Sequence, residues 1–131
     1  MNRFTEAVAG VLEVAEIALD DEFRAVSEWC SLKAFGLLVM LENDFAAPID
    51  ILRLQQLKTV RDLYREAFLA FAAELLKVPR AALSGASAMN SLPEWDSVAH
   101  LRLVMEAEKR FGVSYPFERI PSLRTIDDFL I

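Results

Sequence analysis

The sequence predicts an all-α fold in which one small helical bundle is used twice. Three observations predict it. Gly and Pro are scarce, 4 and 5 of 131 residues, while 54% of the chain is apolar. That balance, with many Ala, Leu and Glu, favours helix, and no stretch shows the alternation of a strand. A five-residue phrase also recurs: Glu28, Trp29, Cys30, Ser31 and Leu32, then Glu94, Trp95, Asp96, Ser97 and Val98. Around the two phrases, further residues align at a fixed offset.

An offset of 66 pairs Leu37 with Leu103, Glu42 with Glu108, Phe45 with Phe111, Leu57 with Leu123, Thr59 with Thr125 and Asp62 with Asp128. Upstream an offset of 64 fits better, pairing Phe4 with Phe68, Leu12 with Leu76, Val14 with Val78 and Leu19 with Leu83. The second copy therefore carries two extra residues, expected between Leu83 and Glu94, where Ser84, Gly85, Ser87, Asn90, Ser91 and Pro93 make a polar loop that tolerates insertion. The copies are assigned to residues 1–66 and 67–131. Each is near the lower size at which one core supports folding.

Each copy reads the same way. A first helix, about residues 2–13 and 68–77, carries apolar residues at helical spacing. A second helix opens near Ser31 or Ser97. In copy two Val98, Leu101, Val104, Met105 and Phe111 keep a three-and-four spacing up to Gly112, a C-terminal cap. In copy one the pattern runs through Leu32, Phe35, Leu38, Val39 and Phe45 and halts before Pro48. A short segment follows. A last helix starts at Thr59 or Thr125, suited to N-capping, with Asp62 and Asp128 three residues on. Three main helices and a short one make a small bundle. From Thr59 to Val78 there is no Gly or Pro. Val60, Leu63, Tyr64, Ala67, Phe68, Phe71 and Leu75 form one stripe, so the last helix of copy one either runs on into the first helix of copy two or is separated from it by a kink near Arg65–Glu66.

The totals exclude several functions. Net charge is −6, with 7 basic against 12 acidic residues over 1–66 and 7 against 8 over 67–131. No basic stripe exists, so no nucleic-acid partner is expected. The acidic first half suits a basic partner surface. Cys30 is the single cysteine, which rules out an intramolecular disulfide. No apolar run reaches membrane-span length, and the N-terminus lacks the pattern of a signal peptide. A cytoplasmic location is the expectation. No metal-ligand spacing occurs. His100 follows Ser97 by three residues, which places the two on roughly one side, but no orienting acid or oxyanion loop accompanies them. An enzyme is not expected. Trp29 and Trp95 are expected to pack the loops onto the bundle.

A serine at a helix start commonly caps it. Ser97, however, follows an acid that could cap, and its loop is long and polar. A helix N-terminus also stabilises a phosphate attached there. The stretch from Trp95 to Tyr115 resembles the second-helix region of acyl carrier proteins, whose Asp-Ser-Leu motif carries a phosphopantetheine arm on serine. That family's E-x-x-F-G is matched by Glu108, Phe111 and Gly112. Its closing L-x-T-[IV]-x-D is matched at Leu57–Asp62 and again at Leu123–Asp128. The resemblance covers the chain as two copies, and so implies two acyl-carrier-like bundles in tandem. It also implies covalent phosphopantetheine on Ser97, with Asp96 supporting recognition by a phosphopantetheinyl transferase and Val98 in place of the usual Leu. Ser31 is the equivalent second attachment site, although Cys30 stands where the acid belongs.

The implied mechanism is carriage. The arm's thiol holds an acyl or aminoacyl group as a thioester, and the tether concentrates that cargo at loading and processing enzymes. Docking in that family runs through acidic side chains on the helix after the serine. Copy one offers Glu42 and Asp44, and copy two offers Glu106 and Glu108 among Arg102, Lys109 and Arg110. The rival expectation is an adaptor of the same fold that binds partners without an arm. An exposed Cys30 and the apolar junction are the two features through which the chain could dimerise.

Overall fold

The structure, a computed structural model, describes residues 2–130. It is all-α: helices α1 (Arg3–Leu12), α2 (Ser31–Phe45), α3 (Ile51–Gln56), α4 (Val60–Leu76) and α5 (Ser97–Phe111) are joined by loops with four 3-10 segments. No strand occurs among the described residues, only two isolated β-bridges. No described helix is long and apolar enough to cross a membrane.

Local chemistry explains the boundaries. Asn2 caps α1 by accepting from the Thr5 N–H at 2.8 Å, and Asp50 caps α3 by accepting from Arg53 N–H at 2.8 Å. Helix α4 opens on a capping box: Thr59 accepts from the Asp62 N–H while Asp62 accepts from the N–H groups of Lys58 and Thr59. Two orphan donors at the helix start are thereby satisfied. Helix α5 ends on Gly112 at φ 62°, the left-handed position that glycine adopts without strain. In α2 the same role falls to Ala46 at φ 52°.

The internal repeat extends from residues to hydrogen bonds. Helices α2 and α5 are 15 residues each and begin 66 residues apart; α3 and the 3-10 segment Phe117–Ser122 are 6 residues each at the same offset. The bridge Glu22–Thr59 recurs as Ala88–Thr125. The N–H groups of Phe23, Val60 and Arg61 donate to Lys58, Asp21 and Leu19; those of Met89, Ile126 and Asp127 donate to Arg124, Ser87 and Gly85. Each pair of bonds is again 66 apart. The capping box recurs at Thr125 and Asp128, but it opens only a 3-10 segment, Ile126–Phe129, where the sequence predicts a last helix.

One element of the alignment is corrected. The offset of 64 holds through Val14 and Val78, whose N–H groups donate to Ala9 and Ala73. It is already 66 at Ala18 and Ser84, whose N–H groups are held by the side chains of Asp21 and Ser87. The two extra residues thus lie between Val78 and Ser84, in the 3-10 turn around Arg80–Ala82, and not in the polar loop after Leu83. Leu19 pairs with Gly85, and buried Leu83 takes the place of buried Ile17. The sequence alignment followed leucine to leucine, whereas the fold conserves which position is buried.

Helix α4 passes through the 66/67 boundary without a break. It is buried along most of its length and packs against α1, α2 and α5. Its aromatic residues join one contiguous core. Phe4 packs on Phe45, with ring centroids 5.0 Å apart, and the equivalent Phe68 packs on Phe111 at 5.4 Å. Phe45 and Phe111, themselves equivalent, stack on each other at 5.7 Å. Phe111 also meets Tyr64 and Phe71. Pairs of this kind are worth about 0.5–1.5 kcal/mol each beyond their burial.

Polar contacts on α4 add ties to both ends of the chain. Arg65 binds Asp62 at 3.0 Å and Asp127 at 2.7 Å, and Arg61 binds Asp20 and the Leu130 carbonyl. Glu66 is buried, yet its carboxylate is held from two sides. Arg53 of α3 donates to Oε1 through Nε and Nη2, and Arg80 donates to Oε2 at 3.1 Å. Arg80 lies in the turn that is two residues longer in the second copy, so that turn supplies half of this clamp.

Candidate functional site: two helix-start serines

Ser31 and Ser97 are the first residues of α2 and α5, and both are exposed. The elements that position them are equivalent. In each copy a turn closes on the tryptophan, with Trp29 N–H donating to Val26 and Trp95 N–H donating to Leu92. The chain then extends for one residue, Cys30 or Asp96, before helix begins.

The chemistry at the two starts differs. The Asp96 carboxylate accepts from the Ala99 N–H at 2.9 Å and so caps α5. That leaves the Ser97 hydroxyl with no hydrogen-bond partner among the described residues, exposed over the positive end of a 15-residue helix. Free N–H groups and the aligned peptide dipoles there favour an attached phosphate. Cys30 makes no side-chain cap, and α2 starts instead with the N–H groups of Lys33 and Ala34 sharing its carbonyl. Ser31 is therefore equally exposed but sits on an uncapped start. Its thiol neighbour is exposed as well.

The tryptophans also diverge. Trp95 is fully buried, its Nε1–H donating to His100 Nδ1 at 3.2 Å. His100 is buried and meets Phe129 edge-on. Burial pushes its imidazole below the ordinary value, while a hydrogen bond to the Ile120 backbone works in the opposite direction. The neutral ring is the one that can accept from Trp95. His100 thus faces the core while Ser97 faces solvent, correcting the expectation that they share a side. In copy one Ala34 occupies the position of His100, and Trp29 is only half-buried, leaning on Phe23 at 5.7 Å. A cleft of about 740 Å³ opens there, beside Ser31 and Cys30. Trp29 and Trp95 both fold the loops back onto the bundle.

The apolar spacing read from the sequence divides between two faces. Buried on α5 are His100, Leu103, Val104, Ala107 and Phe111; on α2 they are Lys33, Ala34, Leu37, Met40, Leu41 and Phe45. The row Leu32, Phe35 and Val39 is exposed instead, and so is its equivalent row Val98, Leu101 and Met105. Ile51 and Phe117, equivalent again, extend these rows, Phe117 being 86% exposed. Each serine therefore stands at the head of an exposed apolar stripe. The signal lay in the sequence: the apolar residues of α2 and α5 are too many for one helix face.

Glu42 and Asp44 are exposed. Glu106 pairs with Lys109 at 3.7 Å, and Glu108 accepts from the Tyr115 N–H at 2.9 Å, so Glu108 serves the turn after α5. Among the described residues no cluster of His, Cys, Asp and Glu could hold a metal ion. Compared with known proteins, the chain matches no family model, no curated protein and no solved structure.

Proposed function

We propose that the chain is a tandem carrier protein, holding a thioester-linked acyl or aminoacyl group on a phosphopantetheine arm attached to Ser97. The observation that carries this reading is the division of labour at the start of α5. Asp96 caps the helix, and the Ser97 hydroxyl is left exposed and unbonded. A serine needed only for capping would not stand beside an acid already doing so. The Val98–Leu101–Met105 row next to it offers an apolar docking face to a transferase and to loading and processing enzymes. Ser31 is the second candidate, with the hydroxyl but without the acid.

The repeated exposed rows also favour a second reading, an adaptor that binds partners through α2 and α5 and carries no arm. One experiment separates the two. The protein is incubated with coenzyme A and a broad-specificity phosphopantetheinyl transferase, and its intact mass is measured. Carriage predicts one phosphopantetheine adduct that Ser97→Ala abolishes, or two adducts if Ser31 also reacts. An unmodified mass refutes carriage and leaves the adaptor.

A further inference from the structure

We propose that the cleft beside α2 is a non-covalent binding site for a free carboxylic acid with an apolar tail. The site belongs to copy one alone and does not depend on the carrier reading. Trp29, Ala34, Phe35, Leu38 and Ile51 supply apolar wall, and Arg24 is the charged residue lining it. Its volume, about 740 Å³, lies within the range of small-molecule sites.

The asymmetry between the copies has a physical origin. In copy two the Trp95 ring turns inward and is anchored by His100. The equivalent of His100 is Ala34, which offers Trp29 no anchor. Trp29 leans on Phe23 instead, and the space between α2 and α3 remains open.

Arg24 determines the class of ligand. Its guanidinium donates to the Leu57 carbonyl at 2.7 Å and the Leu54 carbonyl at 2.6 Å, and it lies over the Phe23 ring. Those bonds fix the plane of the group but use only two of its five N–H donors. Among the described residues it has no carboxylate partner. A fixed, partly buried cation with donors to spare, at an apolar cleft, is complementary to an anionic head on an apolar tail. A planar carboxylate matches the guanidinium fork.

The test is calorimetric titration of the unmodified full chain with hexanoate, octanoate and decanoate below micellar concentrations, and with octanol as the uncharged control. Saturable binding is expected, tightening about fourfold per added methylene, with octanol at least about tenfold weaker. Arg24→Gln should bring octanoate down to the level of octanol. Because Arg24 also holds the end of α3, Ile51→Glu is a second variant: Ile51 is 46% exposed and lines the same cleft, and a carboxylate there opposes the ligand head, by repulsion or by competing for Arg24, while the bonds of Arg24 to the Leu54 and Leu57 carbonyls are kept. It should weaken octanoate by tenfold or more with circular dichroism unchanged. Absence of saturable binding to millimolar concentration, equal affinity for octanol, or unaltered binding by a folded Ile51→Glu variant would each overturn the proposal. Because the unmodified protein is used, the result is independent of whether Ser97 carries an arm.

Discussion

Restoring the acid that copy one lacks should both stabilise the protein and change its chemistry. In α5 the Asp96 carboxylate accepts the Ala99 N–H at 2.9 Å; the equivalent donor in α2 is the Lys33 N–H, which reaches only the Cys30 carbonyl at 3.1 Å. Cys30 already has the extended backbone of an N-cap, with φ −156° and ψ 171°. Cys30→Asp therefore adds a cap without moving the chain. An N-cap aspartate is worth about 1 kcal/mol over a non-capping residue, and its charge at the positive helix end adds about 0.3–1 kcal/mol. Glu28 nearby opposes this slightly, but it is paired with Lys33 at 3.9 Å. The sum is a gain of about 1–2 kcal/mol, or roughly 3–10 °C in Tm for a chain of this length. The assay is thermal unfolding of Cys30→Asp beside Cys30→Ala, which removes the thiol and adds no cap. A Tm for Cys30→Asp no higher than that of Cys30→Ala refutes the reasoning that α2 begins uncapped. In the carrier reading the same variant should also take up a second phosphopantetheine, on Ser31.

Asp96→Ala should lower stability by about 1 kcal/mol in denaturant melts by removing the one side-chain cap of α5. The clamp on Glu66 should respond asymmetrically. Glu66→Gln costs about 1–2 kcal/mol, because Arg53 and Arg80 can turn to solvent. Replacing both arginines by alanine strands a buried carboxylate and costs about 3–5 kcal/mol. Phe111→Ala should cost about 3–5 kcal/mol and, since the core is contiguous, leave a single calorimetric transition; two separate transitions would contradict the shared core. Stability should fall in two steps on acidification. Burial holds the His100 imidazole below its ordinary value, so the unfolded chain takes up the proton first. Stability is therefore full above about pH 6.5 and is lost as pH falls from there through the lowered folded value. Burial works to raise the Asp62 carboxyl, but the Lys58 and Thr59 N–H groups and Arg65 outweigh it. The Thr125 N–H lowers Asp128 against a smaller effect of burial. Both carboxyls thus contribute stability above the usual carboxylate range that is lost at more acid pH. Denaturant melts from pH 8 to 3 should show both steps, and His100→Gln should remove the first.

What the sequence revealed and what it hid follow from the range of the forces involved. Capping is local, so Thr59, Asp62 and Gly112 were legible as helix boundaries, and Thr125 and Asp128 as a capping box, although that box opens only a 3-10 segment. The absence of a breaker from Thr59 to Val78 allowed a continuous α4 but did not separate it from a kink near Arg65–Glu66, because packing against α1, α2 and α5 settles that choice. Burial is not local. The apolar rows of α2 and α5 fit a helix equally well facing in or out, and only the tertiary arrangement shows that Leu32, Phe35 and Val39 lie outside. The partner of His100 was equally hidden, because the i, i+3 relation to Ser97 says less than its contact with Trp95. The insertion was misplaced because identity of residue type competed with identity of buried position, and the fold follows the latter. At the serines, the missing acid of copy one was visible in the letters. The cleft beside it was not, since it depends on how Trp29 turns when residue 34 is alanine.

The most direct test of the carrier reading is peptide mapping of the protein after reaction with coenzyme A and the transferase. The reading predicts a phosphopantetheine mass on the peptide containing Ser97, lost in Ser97→Ala and retained in Ser31→Ala. A peptide containing Ser97 that stays unmodified while a standard carrier domain in the same tube is fully converted would contradict it.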